Sequence, residues 1–572
     1  FGGDRPPCRG VVHLWNLLAA PPADTSAESL ETATTVGSLS VVHLIQAVTL
    51  AGWPESPRLW LVTRGAQPAG WEEGAESGAL SIGQAPVWGL GRSIDHEHPE
   101  LHTTGVDLSV GGGPEELRGL FSEIWSDDGE ADVALRGYRR YVARLEHLGG
   151  AASGQPGEFT LRGDATYLVT GGLGAVGGKV AGWLVERGAR HLVLMGRGAP
   201  SATAEATLEA LRAAGAQVTV ARGDVTKSDD VAAVIAVIDS TMPPLRGVVH
   251  AAGTVDDAIL AHLDASKLRE VMAPKVQGAW NLHTQTAGAD LDFFVLFSSA
   301  ASVLGSPGAA NYGAANAFLD ALAWHRRAVG QPALSVNFGP WAGLGMFTNS
   351  DLQRHFAHYG VEGLPAAQYF AALGVLLGGL AGQSSQAMVL DIDWPRWRPN
   401  ARPSLLADVQ PAGAMDGAVP GSGLYEAVQA ADPQERPRLL ETYLRELVAG
   451  KLGLAPAGLD VVAPLNSLGV DSLITLELRI QVERELGIVV PVARLLDGPS
   501  VTSLSSWLSE QLAAAGLERA AAPEFVAAQY VPEAMSSQEI DLLAQVPDLS
   551  DDAVDALLQK MMADGEHAKD GG

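Results

Sequence analysis

The chain has 572 residues, more than one hydrophobic core supports, and this length predicts about three or four domains. Hydrophobic residues make up 47% and charged residues 18%, which indicates folded globular domains rather than disorder. The formal net charge of −28 repels phosphate backbones and anionic lipid, so nucleic-acid and membrane roles are not expected. Cys8 is the only cysteine, which excludes an internal disulfide and favours a reducing cytoplasm. No signal peptide is visible in the first residues, and no metal site is predicted.

Residues 1 to about 150 alternate short apolar runs, such as Val11–Trp15 and Leu59–Val62, with amphipathic helical patterns. This alternation predicts an α/β fold. No Gly-rich turn follows the first strand, so this part is not expected to bind a nucleotide. The Gly-rich stretch 149–157 then indicates a joint.

A second α/β unit runs from Thr166 to about Trp397, with apolar strands spaced by helices. Such spacing implies parallel strands joined by crossover helices. Residues 400–423 are rich in Pro, Gly and Ala and indicate a linker. About 80 residues of short helices follow, and the end of the chain is a further linker with an acidic, weakly helical tail.

A Gly-rich turn follows the first strand of the second unit and opens a helix predicted to begin at Gly178. Glycines at such a turn let a pyrophosphate approach the backbone amides of the helix N-terminus. An ordinary turn is the alternative, and the surrounding α/β pattern favours a nucleotide site. The predicted contacts are Thr170, Gly171, Gly172, Leu173, Gly174, Val176 and Gly177.

The next three strand ends supply further candidate contacts. Gly196 and Arg197 end the second strand, and an arginine at this place suits the 2′-phosphate of NADP. Asp224 and Val225 follow the third strand, where adenine or ribose contacts would lie. Taken singly, each of these could equally be a strand-ending turn. The same holds for the residues after the fourth strand, which are His250, Ala251, Ala252 and Gly253.

Tyr312 and Asn316 are four residues apart and share a helix face, while Ser299 ends an apolar strand. Reducing a ketone needs a proton donor, and a phenol serves if its pKa falls from about 10. A fall of roughly 3 units, or about 4 kcal/mol, needs a nearby ammonium, for which Lys275 is the candidate. The alternative makes Tyr312 a core residue and Lys275 a solvated one.

This pattern resembles the short-chain dehydrogenase/reductase superfamily, and more closely the ketoreductase domains of modular type I polyketide synthases. The superfamily usually has a lysine where this chain has Asn316, whereas polyketide ketoreductases have asparagine there and a lysine upstream, like Lys275. The resemblance implies that Tyr312 donates the proton and that Ser299 orients the ketone. It implies that Lys275 and Asn316 support the proton path. It also implies NADPH as the cofactor, with contacts from Ser298, Lys275, Tyr312, Pro340 and Trp341.

Stereochemistry is also implied by the resemblance. Val255-Asp256-Asp257 stands where B-type ketoreductases have Leu-Asp-Asp, and Leu304 stands where the opposite class has tryptophan. These features imply a D-hydroxyl product. Ala314 replaces the proline of the epimerising subgroup, which implies that an α-methyl is left as delivered.

Near the end, Asp471-Ser472 lies at a predicted helix start. A lone Asp-Ser would be a helix N-cap. The surrounding module, however, resembles an acyl carrier protein, whose serine in this context carries 4′-phosphopantetheine. The resemblance therefore implies that Ser472 is the attachment site.

The expected fold class is α/β, with two tandem Rossmann-like doubly wound subdomains, followed by a small all-α four-helix carrier domain and a helical tail. The expected domains are a structural subdomain (1–155), a catalytic NADPH-binding subdomain (160–400), a linker (401–432), a carrier (433–515), a linker (516–535) and a docking tail (536–572).

The expected function is NADPH-dependent reduction of the β-keto group of a carrier-bound polyketide thioester, by a chain that is the C-terminal part of a synthase module. The expected partners are upstream ketosynthase and acyltransferase domains, a downstream synthase module that binds the tail, and a phosphopantetheinyl transferase. A homodimer is expected in the intact module. One alternative is a catalytically silent ketoreductase-fold scaffold with a functional carrier. A free-standing metabolic dehydrogenase is another, but it has no use for Ser472.

Overall fold

The computed structural model describes residues 7–51, 53, 56–71, 78–126, 128–148, 159–344, 360–380, 384–394, 397, 402–411, 424–432, 434–452, 454–470, 472–488, 490, 494–495 and 498–521. The chain forms two compact units, Phe1–Gln511 and Leu512–Gly572. The features discussed below lie in the first unit. The predicted docking tail, 536–572, lies outside the described residues, as does Asp471.

The first half of the chain forms a five-stranded sheet whose strands lie side by side in chain order. The first four strands are parallel, and the fifth returns antiparallel to the fourth as a hairpin. The strands are β1 (Gly10–His13), β2 (Arg58–Arg64), β3 (Thr104–Leu108), β4 (Asp132–Arg136) and β5 (Arg139–Val142).

Helices cover both faces of this sheet, which explains why β2 and β3 are buried along nearly their whole length. They are α1 (Ala27–Ala33), α2 (Ser40–Ala51), α3 (Pro86–Glu97) and α4 (Pro114–Trp125), and a π-helical turn, Thr34–Leu39, joins α1 to α2. The continuous stretch Ala27–Ala51 is long and apolar enough to cross a membrane by length and composition. Leu30, Val42 and Ile45 of this stretch are buried in the protein core, which accounts for its apolar character.

The second half forms a seven-stranded, fully parallel sheet with the order β12-β11-β10-β9-β6-β7-β8. The order reverses between β6 and β9, which defines the crevice where open α/β sheets bind ligands. The strands are β6 (Thr166–Thr170), β7 (His191–Gly196), β8 (Gln217–Arg222), β9 (Leu245–His250), β10 (Phe293–Ser299), β11 (Leu334–Phe338) and β12 (Gln386–Val389).

The helices of this half are α5 (Ala175–Glu186), α6 (Ala202–Ala213), α7 (Ser228–Thr241), α8 (Ala265–Gln285), α9 (Ala301–Leu304), α10 (Ala310–Ala328) and α11 (Ala366–Val375). Helix α5 begins three residues before the predicted start at Gly178. Ala175 already follows the turn of Gly174, so the Gly-rich segment itself forms the first helical turn.

The two halves share one core, in which α3 packs backbone to backbone on α10. A Cβ added at Gly89 would overlap the carbonyl oxygen of Gly313, the residue that follows Tyr312. Arg402, which was predicted to lie in the linker, is buried against the first half and pairs with Asp95 and Asp132. The first half therefore supports the helix that carries Tyr312.

The carrier region comprises α12 (Leu424–Ala430), α13 (Arg436–Leu452), α14 (Ser472–Leu486) and α15 (Val501–Ala521). Its core contains Leu440, Leu444, Leu478, Val482 and Leu508, all buried. Helix α12, in the segment expected to be linker, packs against α13 and α14.

The predicted α/β class, with two Rossmann-like halves followed by a helical carrier, is confirmed. The strand-order reversal of a doubly wound sheet is found in the second sheet, whereas the first keeps chain order.

Candidate active site and carrier site

The Gly-rich turn lies at the crevice, between β6 and α5. Gly171 has a φ of +68°, and a Cβ there would lie 2.8 Å from the carbonyl oxygen of Ala251. A Cβ on Gly177 would overlap the carbonyl oxygen of Gly171. Only glycine fits these positions, so the turn keeps its backbone bare beside the N-terminus of α5. This cradle fits a dinucleotide pyrophosphate. Leu173, Gly174 and Val176 line the same turn, partly or fully exposed.

At the carboxyl end of β7, Gly196 pairs with Arg222 of β8, and the exposed Arg197 follows directly. Arg222 Nε donates to the Arg197 carbonyl oxygen at 3.2 Å, which brings a second guanidinium to this edge. Sequence analysis missed Arg222, although its position at the end of a strand neighbouring Arg197 was a usable signal. Asp224 accepts hydrogen bonds from Thr226, and the Val225 carbonyl accepts one from Asn281.

His250 ends β9 with its side chain fully buried. Nε2 faces the Pro274 carbonyl at 3.0 Å and must donate, so Nδ1 accepts from Thr170 Oγ1 at 2.7 Å. Burial, followed by the charge of Lys275, lowers the pKa of His250 to about 3 and keeps it neutral. The His250 side chain therefore links the end of β6 to α8 beneath the crevice. The following residues, Ala251, Ala252 and Gly253, form the crevice wall, with Ala252 beside the Gly171 turn.

Ser299 ends β10, and Tyr312 lies in the first turn of α10. Both side chains are half-buried. The Ser299 Oγ accepts a hydrogen bond from the Ala301 amide at 3.2 Å, which leaves its hydroxyl proton available. Burial raises the pKa of Tyr312, while its interactions with Asn316 and Ser299 lower it without reversing the shift.

Lys275 of α8 is buried beside these residues. Its Nζ donates to the Phe297 carbonyl at 2.9 Å and lies 5.6 Å from the centroid of the Tyr312 ring. Burial lowers its pKa to about 8, against the opposing charge of Asp320. The structure therefore places the Lys275 ammonium beside the Tyr312 ring. The pKa of the phenol is nevertheless raised, because burial is the largest influence on it.

Asn316 lies one helical turn after Tyr312 and its Nδ2 donates to the Tyr312 carbonyl at 2.8 Å. Its side-chain oxygen is buried and accepts no hydrogen bond from the described residues. It can therefore take a proton donor, such as a water, into the proton path.

A polar network beneath the site escaped the sequence analysis. Asp320 accepts hydrogen bonds from Ser302 and Ser335 at 2.6 Å each, and Asn337 donates to it at 2.9 Å and to Ser298 at 3.0 Å. Burial raises the pKa of Asp320, and these donors lower it. The sequence did carry a signal for Asp320. It lies four residues after Asn316, which lies four residues after Tyr312, and this spacing puts all three on one helix face.

Pro340 and Trp341 follow β11. Trp341 packs in an aromatic cluster, with ring centroids 4.5 Å from Tyr369 and 5.2 Å from Phe338, and the Tyr369 hydroxyl donates to the Pro340 carbonyl at 3.0 Å. This packing fixes the segment beyond β11, beside β10 and Ser299.

The predicted stereocontrol residues lie in the loop after β9 and at the end of α9. Asp256 pairs with Lys267 at 2.6 Å, its carbonyl accepts from Asn311 at 2.9 Å, and the charge of Asp257 acts on Tyr312. Val255 is partly exposed. Leu304 ends α9, and His96 of the first half lies 2.8 Å from its carbonyl oxygen.

Ser472 is the first residue of α14, so the serine lies at a helix start as predicted. The preceding loop is held by hydrogen bonds from the Leu465 amide to the Pro499 carbonyl and from the Val470 amide to the Leu465 carbonyl.

Comparisons with known proteins match this division of the chain. The family described as KR domain matches residues 165–343, and the phosphopantetheine attachment site family matches residues 442–508. The Rossmann fold domain of the polyketide synthase extender module SpnB matches residues 6–145.

Relatives extend across most of the chain. Polyketide synthase GfsB of Streptomyces halstedii is 35% identical over 556 residues, which is 92% of this chain and 10% of that protein. A phenolphthiocerol/phthiocerol polyketide synthase polypeptide of Mycobacterium tuberculosis is 37% identical over 68% of this chain and 17% of its own length. The chain thus spans about a tenth to a sixth of these relatives.

Solved ketoreductases are similar in structure. The structure of A-type ketoreductases from a modular polyketide synthase has 34% identity and a TM-score of 0.62, covering 70% of this chain and 82% of that one. The first ketoreductase of the tylosin synthase has 32% identity and a TM-score of 0.58, covering 72% of this chain and 84% of that one.

Together, the bare Gly-rich cradle, the Ser299, Tyr312 and Lys275 constellation and the serine at the start of α14 give these similarities a chemical basis. KR domains use NADPH, and the carrier domain bears 4′-phosphopantetheine. This chain belongs to the ketoreductases of modular polyketide synthases and carries an acyl carrier domain on the same polypeptide.

Proposed function

We propose that this chain is the C-terminal part of a synthase module and reduces the β-ketone of the acyl thioester held on Ser472 to a D-hydroxyl. The observation that carries the proposal is the approach of the Lys275 ammonium to within 5.6 Å of the Tyr312 ring, beside the end of β10. A silent scaffold would have no use for a buried ammonium at this place, since burying it without a role is costly.

Bound NADPH supplies the hydride. Ser299 donates a hydrogen bond to the ketone oxygen, and Tyr312 transfers its proton to that oxygen as negative charge develops. Lys275, held by the Phe297 carbonyl, stabilises the phenolate that remains. The free oxygen of Asn316 holds a proton donor that reprotonates Tyr312. The residues that hold NADPH are the cradle from Thr170 to Gly177 and the wall from Ala251 to Gly253.

The proposed preference for NADPH over NADH rests on two arginines at the carboxyl ends of β7 and β8. Arg222 binds the backbone carbonyl of Arg197 at the strand ends where the ribose 2′-phosphate would lie, and guanidinium forks suit phosphate oxygens. The exposed position of both residues leaves them free to reach a ligand.

The D configuration is proposed on the two loops that border Tyr312. Asp256 and Asp257 in the loop after β9, with Leu304 in place of tryptophan at the end of α9, favour entry of the thioester arm from one side. Ala314 stands where the epimerising subgroup has proline, and this supports an α-methyl that is left as delivered. Discrimination of 100-fold needs only about 2.7 kcal/mol.

The wider assembly belongs to the proposal as well. Ketosynthase and acyltransferase domains would supply the β-ketoacyl chain, a phosphopantetheinyl transferase would install the arm, and a downstream module would take the product through the tail at 536–572. The proposal also includes homodimerisation of the intact module and a cytoplasmic location.

The test is to load Ser472 with a β-ketoacyl pantetheine arm and add NADPH. We expect the intact mass to rise by one hydride and one proton, and chiral chromatography of the released acid to show the D-hydroxyl. An unchanged mass would support the silent scaffold, a predominantly L product would refute the stereochemical part, and an arm retained in Ser472→Ala would refute the attachment site.

A further inference from the structure

Arg479 of the carrier helix α14 makes hydrogen bonds to the first half of the reductase. Its Nη2 lies 2.7 Å from the Glu100 carboxylate, and its Nη1 donates to the Glu97 carbonyl oxygen. The Nε donates to Glu483 within α14 at 2.7 Å. All three guanidinium nitrogens are therefore used, and two of them reach across to the reductase.

The burial of Arg479 indicates a formed contact rather than a chance approach. Its side chain is 1% exposed, and a buried guanidinium is tolerated only when its donors are satisfied. Burial acts to raise the pKa of Glu100, but the hydrogen bond with His98 and the charge of Arg479 outweigh it and lower that pKa to about 2. Glu100 is thus ionised, and the contact is a charge-assisted pair.

The residues from Glu97 to Glu100, named here the acidic corner, also contact two segments that lie next to active-site residues in the chain. The Glu97 carboxylate accepts from the Leu260 amide at 2.6 Å and from the Gly308 amide at 2.9 Å. Leu260 follows the loop of Asp256 and Asp257, and Gly308 lies four residues before Tyr312. One side of the corner therefore meets the carrier, and the other side holds both loops that border the ketone site.

We propose that the acidic corner is the docking site of the chain's own carrier domain, with Arg479 as its charged anchor. The proposal rests on Ser472 as the attachment site of the arm. Ser472 lies seven residues before Arg479, or about 10.5 Å along the helix, so the anchor fixes where the arm begins.

A single anchor is enough because the two domains share one chain. Tethering raises the effective concentration of the carrier, so the contact sets its orientation rather than its affinity. Buried charge pairs of this kind favour specificity of docking over raw affinity.

The test compares one substrate on the carrier with one in solution. The variants Glu100→Ala and Arg479→Ala are made in the full chain, with Arg438→Ala, on the exposed face of α13, as the matched control. Single-turnover reduction of a β-ketoacyl group on the pantetheine arm is measured beside turnover of a diffusible β-ketoacyl N-acetylcysteamine thioester.

We expect Glu100→Ala to slow reduction of the carrier-bound substrate by roughly 10- to 30-fold and to leave the diffusible substrate within about twofold. Arg438→Ala should change neither rate. The double variant should be no slower than the slower single variant, because the two residues form one contact.

Equal slowing of both substrates by Glu100→Ala, an unchanged carrier-bound rate, or additive effects in the double variant would overturn the proposal. Glu100→Ala leaves the carrier sequence intact, so its result stands even if Arg479→Ala unfolds that domain. Failure of the wild-type chain to reduce the diffusible substrate would instead refute the proposed reductase function.

Discussion

The two sheets of the reductase are built from the same alternation of strands and helices, yet among the described residues the Gly-rich turn and the reversal of strand order both occur in the second sheet. In the first sheet the strands keep chain order, and β1 runs into Leu14 and Trp15. In the second sheet the order reverses beside β6, and β6 runs into Gly171 and Gly172. A nucleotide site therefore needs a crevice and a bare turn at the same point of the sheet.

The first half contributes by support instead. Gly89 of α3 lets this helix press on α10 next to Tyr312, and the Glu97 carboxylate holds the amides of two active-site loops. One half of the reductase can thus fix the geometry of a site in the other half, since catalytic groups need rigid support to stay aligned.

Of the substitutions that compare the two halves, Tyr312→Phe is expected to have the largest effect on the rate of reduction. Removing the proton donor should lower the rate at which a β-ketothioester is reduced by roughly 100-fold or more. NADPH binding should stay nearly intact. The matched control is Tyr138→Phe, at an exposed tyrosine of the first half. Steady-state kinetics and a fluorescence titration with NADPH measure both quantities. A wild-type rate in Tyr312→Phe would remove Tyr312 from the mechanism.

The next largest effect tests whether the Gly-rich turn after β6 binds NADPH. In Gly177→Ala the new methyl group would overlap the Gly171 carbonyl oxygen, so the turn must shift. Strain of about 1–3 kcal/mol should weaken NADPH binding by roughly 5- to 150-fold. The control Gly182→Ala lies on the same helix with nothing within 4 Å of the added methyl group. Equal NADPH affinities in both variants, measured by calorimetry, would show that the turn does not cradle the cofactor.

A smaller effect concerns pH. The pKa of Lys275 is lowered to about 8, so its ammonium loses its proton as the pH rises through that value, and the rate should fall with it. The carboxylate of Asp320 raises this pKa, so Asp320→Asn should move the alkaline fall to lower pH. Ser335→Ala removes one hydrogen bond to Asp320 but keeps its charge, and its profile should stay near wild type. An alkaline limb that does not move in Asp320→Asn would exclude this coupling.

Arg402→Ala is expected to have the smallest effect on catalysis and cofactor binding, and its effect should fall on stability instead. Loss of this buried partner leaves Asp95 and Asp132 without their pairing cation and should lower the free energy of unfolding by about 3–5 kcal/mol. The KM for NADPH at low temperature should stay unchanged, because Arg402 packs against the first half. Thermal denaturation and steady-state kinetics check the two expectations. A raised KM with unchanged stability would give the first half a direct part in cofactor binding.

The sequence predicted the elements whose signal is local. The turn at Gly171, the shared helix face of Tyr312 and Asn316, and the α/β alternation all follow from short-range spacing. The Asp320 network and the acidic corner did not emerge, because their partners are brought together by tertiary packing. Glu97 meets Gly308 across 211 residues and Arg479 across 382, and no periodicity encodes such contacts.

The number of NADPH molecules bound per chain tests the contrast between the two halves most directly. Isothermal titration of the full chain should give one site, and Gly177→Val should lose it while the fold, followed by circular dichroism, persists. Two sites per chain, or one site that survives in Gly177→Val, would contradict the assignment of the cofactor to the second half alone.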